Sequence, residues 1–206
     1  MEPEMRSVQP ATEPLRARKR AATRRSLEEA AVRLFAEKGF ARTTIDDIAA
    51  GADASRSTFF RYFRSKESVL FGPDDETGER FVELIGQRPL EEGPMRAFEA
   101  ALEALAAETP PRISRESARD RREVVMSDPH LRVRRAENLA RWTQRLAQAL
   151  ADREGGPIAP AHRLAAWVGI AVAQEMGDQW TAPGEEKDPA DLVRDRFALL
   201  RSLLTE

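Results

Sequence analysis

The chain has 206 residues, with 33 Lys and Arg against 35 Asp and Glu, a formal charge of −2 and no cysteine. The lack of thiols excludes a disulfide framework, a thiolate zinc site and a cysteine nucleophile, and only His130 and His162 could supply imidazole. No apolar run approaches the roughly 18 residues needed to cross a bilayer and the opening MEPEMRSVQP has no apolar signal core, so a cytoplasmic location is expected.

Charge is unevenly spread. Arg16 to Lys66 holds 13 basic residues against 6 acidic, a local +7, which leaves −9 for the rest. Such a split suits a polyanion-binding module joined to an acidic body, although a basic run is also an ordinary solvated helix face. Apolar residues recur at three and four positions rather than two, so the fold class is all-α. Residues 1–15, containing Pro and Glu, read as a disordered tail. Arg16 to Arg20, RARKR, precedes the first helix and has two readings: an arm reaching phosphates or the minor groove, or a solvated stretch adding nonspecific affinity.

RRSLEEAAVRLFAEKGF follows, with Leu27, Ala30, Ala31, Leu34 and Phe35 on one helical face and Gly39 as a stop. TTIDDIAA is a short helix, with Thr43 or Thr44 as N-cap and Asp46 and Asp47 in its first turn. Wound as a helix, Ser55 to Phe63 puts Thr58, Phe59, Tyr62 and Phe63 on one side and Arg56, Ser57, Phe60 and Arg61 on the other. Periodicity alone leaves two readings equal: a helix-turn-helix sized for a DNA major groove, or a surface helix with aromatic anchors. Further helices are expected over 75–87, 94–108, 113–127, 130–153, 161–181 and 190–204, with breaks at Gly93-Pro94, Pro110-Pro111, Asp128-Pro129, Gly155-Gly156-Pro157 and APGEEKDP. A boundary near Phe71-Gly72-Pro73 separates a small basic domain, 16–70, from a larger helical body, 71–206.

The segment FAEKGFARTTIDDIAAGADASRSTFFRYFRSKESVL breaks the tie. From about Arg24 to Leu70, without a gap, it resembles the N-terminal domain of the tetracycline-repressor (TetR) family. The resemblance implies a three-helix helix-turn-helix domain followed by a helical ligand-binding and dimerisation domain. It further implies a homodimeric, ligand-responsive repressor on a palindromic double-stranded DNA operator. Thr44 matches the threonine that caps the second helix and touches a phosphate; Ser57, Thr58 and Arg61 match recognition-helix positions; Lys66 matches a phosphate-binding lysine. Arg56 and Arg61 have the chemistry to read guanine O6 and N7. Two positions depart from the pattern. Phe60 stands where a tyrosine would bind phosphate, so that contact passes to apolar packing or to Tyr62, and Asp53 stands where the turn carries glycine, so it or a neighbour should adopt positive φ.

In the larger domain, 161–181 is apolar on nearly all sides and is expected to lie centrally, Gly169, Ala173 and Gly177 admitting a close neighbour. By the resemblance, the last two helices of each subunit form a four-helix dimer interface; Leu192, Val193, Phe197, Leu200, Leu203 and Leu204 supply a suitable face on the last. A small apolar effector is expected against Phe98, Leu102, Trp142, Leu146, Trp167 and Ala171, with Gln174 and Asp178 as polar partners; the competing reading of each is core packing. No cofactor or metal is expected. The other functional classes are a ligand-independent architectural DNA binder, which keeps the N-terminal reading, and a helical enzyme, for which no catalytic motif exists.

Overall fold

Most helices begin where a Ser, Thr or Asp side chain can satisfy the free amides of the first turn. In the computed structural model, which describes residues 15–108 and 114–205, all regular structure is helical: α1 (Leu15–Lys38), α2 (Ile45–Gly51), α3 (Arg56–Tyr62), α4 (Lys66–Gly86), α5 (Pro94–Glu108), α6 (Arg115–Ser127), α7 (Pro129–Arg153), α8 (Pro160–Trp180) and α9 (Pro189–Leu203). The expected tail up to residue 14 and the break at Pro110-Pro111 lie outside the described residues. Thr44, Ser55, Ser65, Ser114, Asp128 and Asp188 are N-caps whose side chains accept amides of the following turn. Pro129 and Pro189 directly follow two of these caps at the first helical position, where a missing N–H costs nothing. The α8 cap is Ala159, which has no acceptor; instead Nδ1 of His162, three residues on, accepts the Ala159 amide at 3.0 Å.

Two expectations about the chain path are corrected. RARKR does not precede α1 but forms its first turns, because Leu15 to Arg25 contains helix-favouring Ala, Arg and Lys and no breaker. The helix expected over 75–87 also starts earlier: α4 runs unbroken from Lys66 through Phe71-Gly72-Pro73. A proline clashes with the Cβ and N–H of the residue before it when that residue is helical, and Gly72 has no Cβ to clash.

The helices enclose two cores that meet along α4. The first gathers Leu27, Phe35, Ile48, Phe59, Phe63 and Leu70, and is closed by Val124 and Val125 of α6 and Leu131 of α7. The second gathers Phe81, Ile85, Phe98, Leu146, Leu150 and Phe197 from α4, α5, α7 and α9 around α8. Gly169 of α8 explains the close approach there: a Cβ at this position would collide with the Phe98 ring of α5. Gly177 has no such neighbour.

Only one side of α8 is central. His162, Ala165, Ala166, Gly169 and Val172 face inward, whereas Leu164 and Trp167 are 64% and 62% exposed and Ala171 is exposed too. Trp167 and Ala171, expected against the effector, therefore turn outward. Leu199 and Leu203 of α9 and its C-cap Leu204 are likewise exposed, while Leu192, Val193 and Phe197 are core.

Candidate nucleic-acid interface and interior cavity

α2 and α3 are each seven residues long and joined by the turn Ala52–Ser55. Thr44, not Thr43, caps α2. Its hydroxyl accepts the Asp47 amide at 3.1 Å and donates to the Asp47 carboxylate at 2.7 Å, which also accepts the Thr44 amide at 2.9 Å. These contacts, the backbone one foremost, together with Lys38 at 3.3 Å, pull the Asp47 carboxyl down to about 2. Thr43 is buried and donates to the carbonyls of Leu34 and Gly39. Asp53 has φ +50, the only non-glycine positive φ among the described residues, so the turn keeps its left-handed residue without a glycine.

Packing orients α3. Phe59 and Phe63, with ring centroids 5.5 Å apart, anchor its inner side. Arg56, Ser57, Phe60 and Arg61 are exposed on its outer side, and Thr58 and Tyr62 are half-buried at the borders. Arg56 pairs with Asp46 at 2.9 Å and lies over the Phe60 ring; Arg61 lies over the Tyr62 ring. Both members of the Arg56–Asp46 pair are more than half exposed, so water competes for it and the pair holds Arg56 weakly.

Lys66 is placed differently from the rest. Its ammonium donates to the carbonyls of Phe40 at 2.7 Å, Thr43 at 3.1 Å and Ala41 at 3.3 Å, and sits 4.3 Å from the Phe40 ring centre. All three ammonium hydrogens have acceptors within the protein. The lysine thus ties the start of α4 to the α1–α2 loop, directly before the Thr44 cap. Its partners lie 23 to 26 residues away in sequence, which is why local reading missed this role.

A cavity of about 410 Å³ lies between α4, α6, α7 and α8. Its apolar lining includes Leu70, Phe71, Phe81, Leu146 and Ile170. Of the eight residues selected from sequence as effector contacts, Trp142, Leu146, Gln174 and Asp178 line it. Phe98 and Leu102 are instead buried in the second core, and Trp167 and Ala171 point away on the outer face of α8. Asp178 pairs with Arg122 on the opposite wall.

Asn138 was not anticipated in the lining, and Trp142, selected for its ring, also brings a polar atom to it. Trp142 Nε1 and Asn138 Oδ1 are buried without a hydrogen-bond partner, one a donor and one an acceptor, an i, i+4 pair on α7. Gly78 of α4 makes room for the indole: a Cβ there would stand 2.5 Å from the Trp142 ring. The i, i+4 spacing was available in sequence; the opposition of Gly78 and Trp142 across two helices was not. Arg121 of α6, also in the wall, donates to the Leu70 carbonyl at 3.3 Å. Neither histidine lies in the cavity: His130 is exposed, and His162 is paired with Glu154 at 2.9 Å. The described residues hold no cluster of His, Cys, Asp or Glu able to ligate a metal and no helix long and apolar enough to cross a membrane.

Comparison with known proteins bears on both halves of the molecule. Residues 27–71 match the family described as bacterial regulatory proteins, tetR family, and residues 92–205 match the MftR C-terminal domain. The regulator MftR of Mycobacterium tuberculosis, named for mycofactocin biosynthesis, is 29% identical over 164 residues, 79% of this chain and 82% of that protein. The HTH-type transcriptional regulator TcmR of Streptomyces glaucescens is 37% identical over 91 residues, 44% of this chain but only 40% of its own length. Among solved structures, NalD of Pseudomonas aeruginosa, the secondary repressor of a multidrug efflux pump, superposes with a TM-score of 0.55 at 19% identity, covering 87% of this chain and 96% of NalD.

Proposed function

Because the chain belongs to the tetracycline-repressor family of bacterial regulatory proteins, DNA-binding transcription regulators, we propose that it is a cytoplasmic homodimeric repressor that leaves its operator when a small apolar molecule fills the cavity. One observation carries the mechanism. The unbroken α4 supplies Leu70, Phe71, Thr77, Gly78 and Phe81 to the cavity wall, and its first residue, Lys66, holds the loop that leads into Thr44 and α2. A ligand that displaces the middle of α4 therefore moves a rod whose other end carries the DNA-reading unit. The effect is bounded by the ligand's preference for one arrangement over the other, about 1–3 kcal/mol in typical couplings.

In this reading Arg56 and Arg61 contact base edges from the outer side of α3, and Ser57, Thr58 and Thr44 grip phosphates. Phe60 packs on a thymine methyl or a sugar, and Tyr62 turns its hydroxyl to the backbone. Lys66 acts by fixing the loop. Two copies pair through the bare faces of α8 and α9, where Leu164, Trp167, Leu199 and Leu203 stand exposed. The pairing sets two recognition helices about 34–36 Å apart, one turn of DNA. The effector is mostly apolar, with one neutral head group, such as an amide or hydroxyl, that accepts from Trp142 Nε1 and donates to Asn138 Oδ1. The function proposed is regulatory rather than catalytic, in keeping with the family.

The test is selection of duplexes from a randomised pool, then binding of the selected duplex during titration with apolar amides, alcohols and their head-less hydrocarbons. Amides and alcohols should quench tryptophan fluorescence and release DNA together. Failure to select a two-fold sequence refutes the operator reading, and failure of every compound to change both signals refutes the effector reading.

A further inference from the structure

The basic stretch at the start of α1 has no part in the roles above. Arg16, Arg18, Lys19 and Arg20 are all exposed, and they precede the segment that matches the family, which begins at residue 27. Their arrangement on the helix is not uniform. At 100° per residue, Arg16, Lys19, Thr23 and Ser26, spaced by three, four and three, share one stripe, whereas Arg18 and Arg25 lie on the far side.

That stripe leads to the DNA-reading unit. Ala22, Thr23 and Ser26 form one wall of an open groove of about 610 Å³; the turn Ala52–Ser55, with Thr58 and Arg61 of α3, forms the other. Hydroxyls from both walls give the groove donors suited to phosphate oxygens, and Asp53 is the one carboxylate on it. From Ser26 back to Arg16 the stripe runs about 15 Å at 1.5 Å per residue, carrying the basic charge along α1 away from the groove.

We propose that Arg16 and Lys19 form a second DNA-contacting element, binding phosphates of the strand that flanks each half-site while the groove admits that strand's sugar–phosphate backbone. The occupant follows from charge complementarity and from continuity with the recognition surface. The inference rests on the operator reading above, and it adds to that reading a longer footprint that carries no sequence information.

The experiment uses the full chain and a duplex selected by the wild type from a randomised pool, with long flanks or trimmed to the selected core. Affinity is measured by fluorescence anisotropy between about 50 and 200 mM salt. The variants are R16A/K19A and, as a charge-matched control, R18A/R25A; alanine favours helix in both, so α1 is kept. On the long duplex R16A/K19A should lower the slope of log K against log salt by about 1.8 per protomer, at about 0.9 per lost phosphate contact, with the base preference unchanged. The control should lose less than half as much, and trimming the flanks should bring the wild type to the slope of R16A/K19A. An unchanged slope in R16A/K19A, or an equal loss in the control, overturns the proposal and leaves the operator reading standing. Absence of any selected sequence overturns both.

Discussion

Replacing Lys66 by methionine keeps the aliphatic stem on the Phe40 ring and removes the ammonium. Three acceptors are lost: the carbonyls of Phe40 at 2.7 Å, Thr43 at 3.1 Å and Ala41 at 3.3 Å. The Ala41 bond is exposed and its carbonyl can turn to water, so its loss costs little; the other two bonds are part-buried. A hydrogen bond to a charged donor contributes about 1.5–3 kcal/mol. Two such bonds, sharing one donor and therefore less than additive, place the cost of K66M at about 3 kcal/mol. With a urea slope of about 2 kcal/mol per molar, the midpoint for the N-terminal helices should fall by about 1.5 M. All three tryptophans lie in the larger domain, so hydrogen exchange at the Thr43 and Ile48 amides is the suitable probe, and both should exchange faster. Operator affinity should fall, but its salt slope should hold, because no phosphate contact is removed. An unaltered midpoint combined with a slope reduced by about 0.9 per protomer would refute the reasoning and return Lys66 to direct phosphate binding.

Asp53→Gly should be neutral or stabilising by up to about 1 kcal/mol, since φ +50 suits glycine, whereas Asp53→Val should destabilise by at least as much as thermal unfolding can readily resolve. Gly78→Leu drives a side chain into the Trp142 ring and fills the cavity from α4; by the coupling through α4 it should act as a permanent effector, lowering operator affinity and leaving no further response to apolar compounds, as operator titration with and without them would reveal. Because the Asp47 carboxyl is lowered to about 2 in the folded chain, the stability its capping box contributes is complete above the ordinary carboxylate value of about 4 and is lost as pH falls toward 2. Asp47→Asn should flatten this part of an acid titration followed by circular dichroism. Trp167→Glu should convert the dimer to monomer in sedimentation while leaving helix content unchanged, as its side chain lies outside both cores.

The all-α class, the helix-turn-helix and most helix starts were legible in the sequence because each depends on residues close along the chain. The Thr44–Asp47 box, the Asp53 turn and the Asp128-Pro129 and Asp188-Pro189 starts are fixed within four residues, and the alternation of Phe59 and Phe63 with Arg56, Phe60 and Arg61 fixes which side of α3 can be buried. Exposure of Arg56 and Arg61 follows from the same short period. Where sequence reading failed, the deciding partner was distant. The contacts of Lys66 are such a case, since its acceptors are carbonyls of another loop. The orientation of α8 is the clearest case. A helix apolar on nearly every side has no polar face to declare which way it turns, so Trp167 and Val172 are equivalent in sequence. Tertiary packing decides between them: Gly169 lets the Phe98 ring approach on one side only, and that contact rolls Trp167 out of the cavity while Trp142, opposite Gly78, is rolled in.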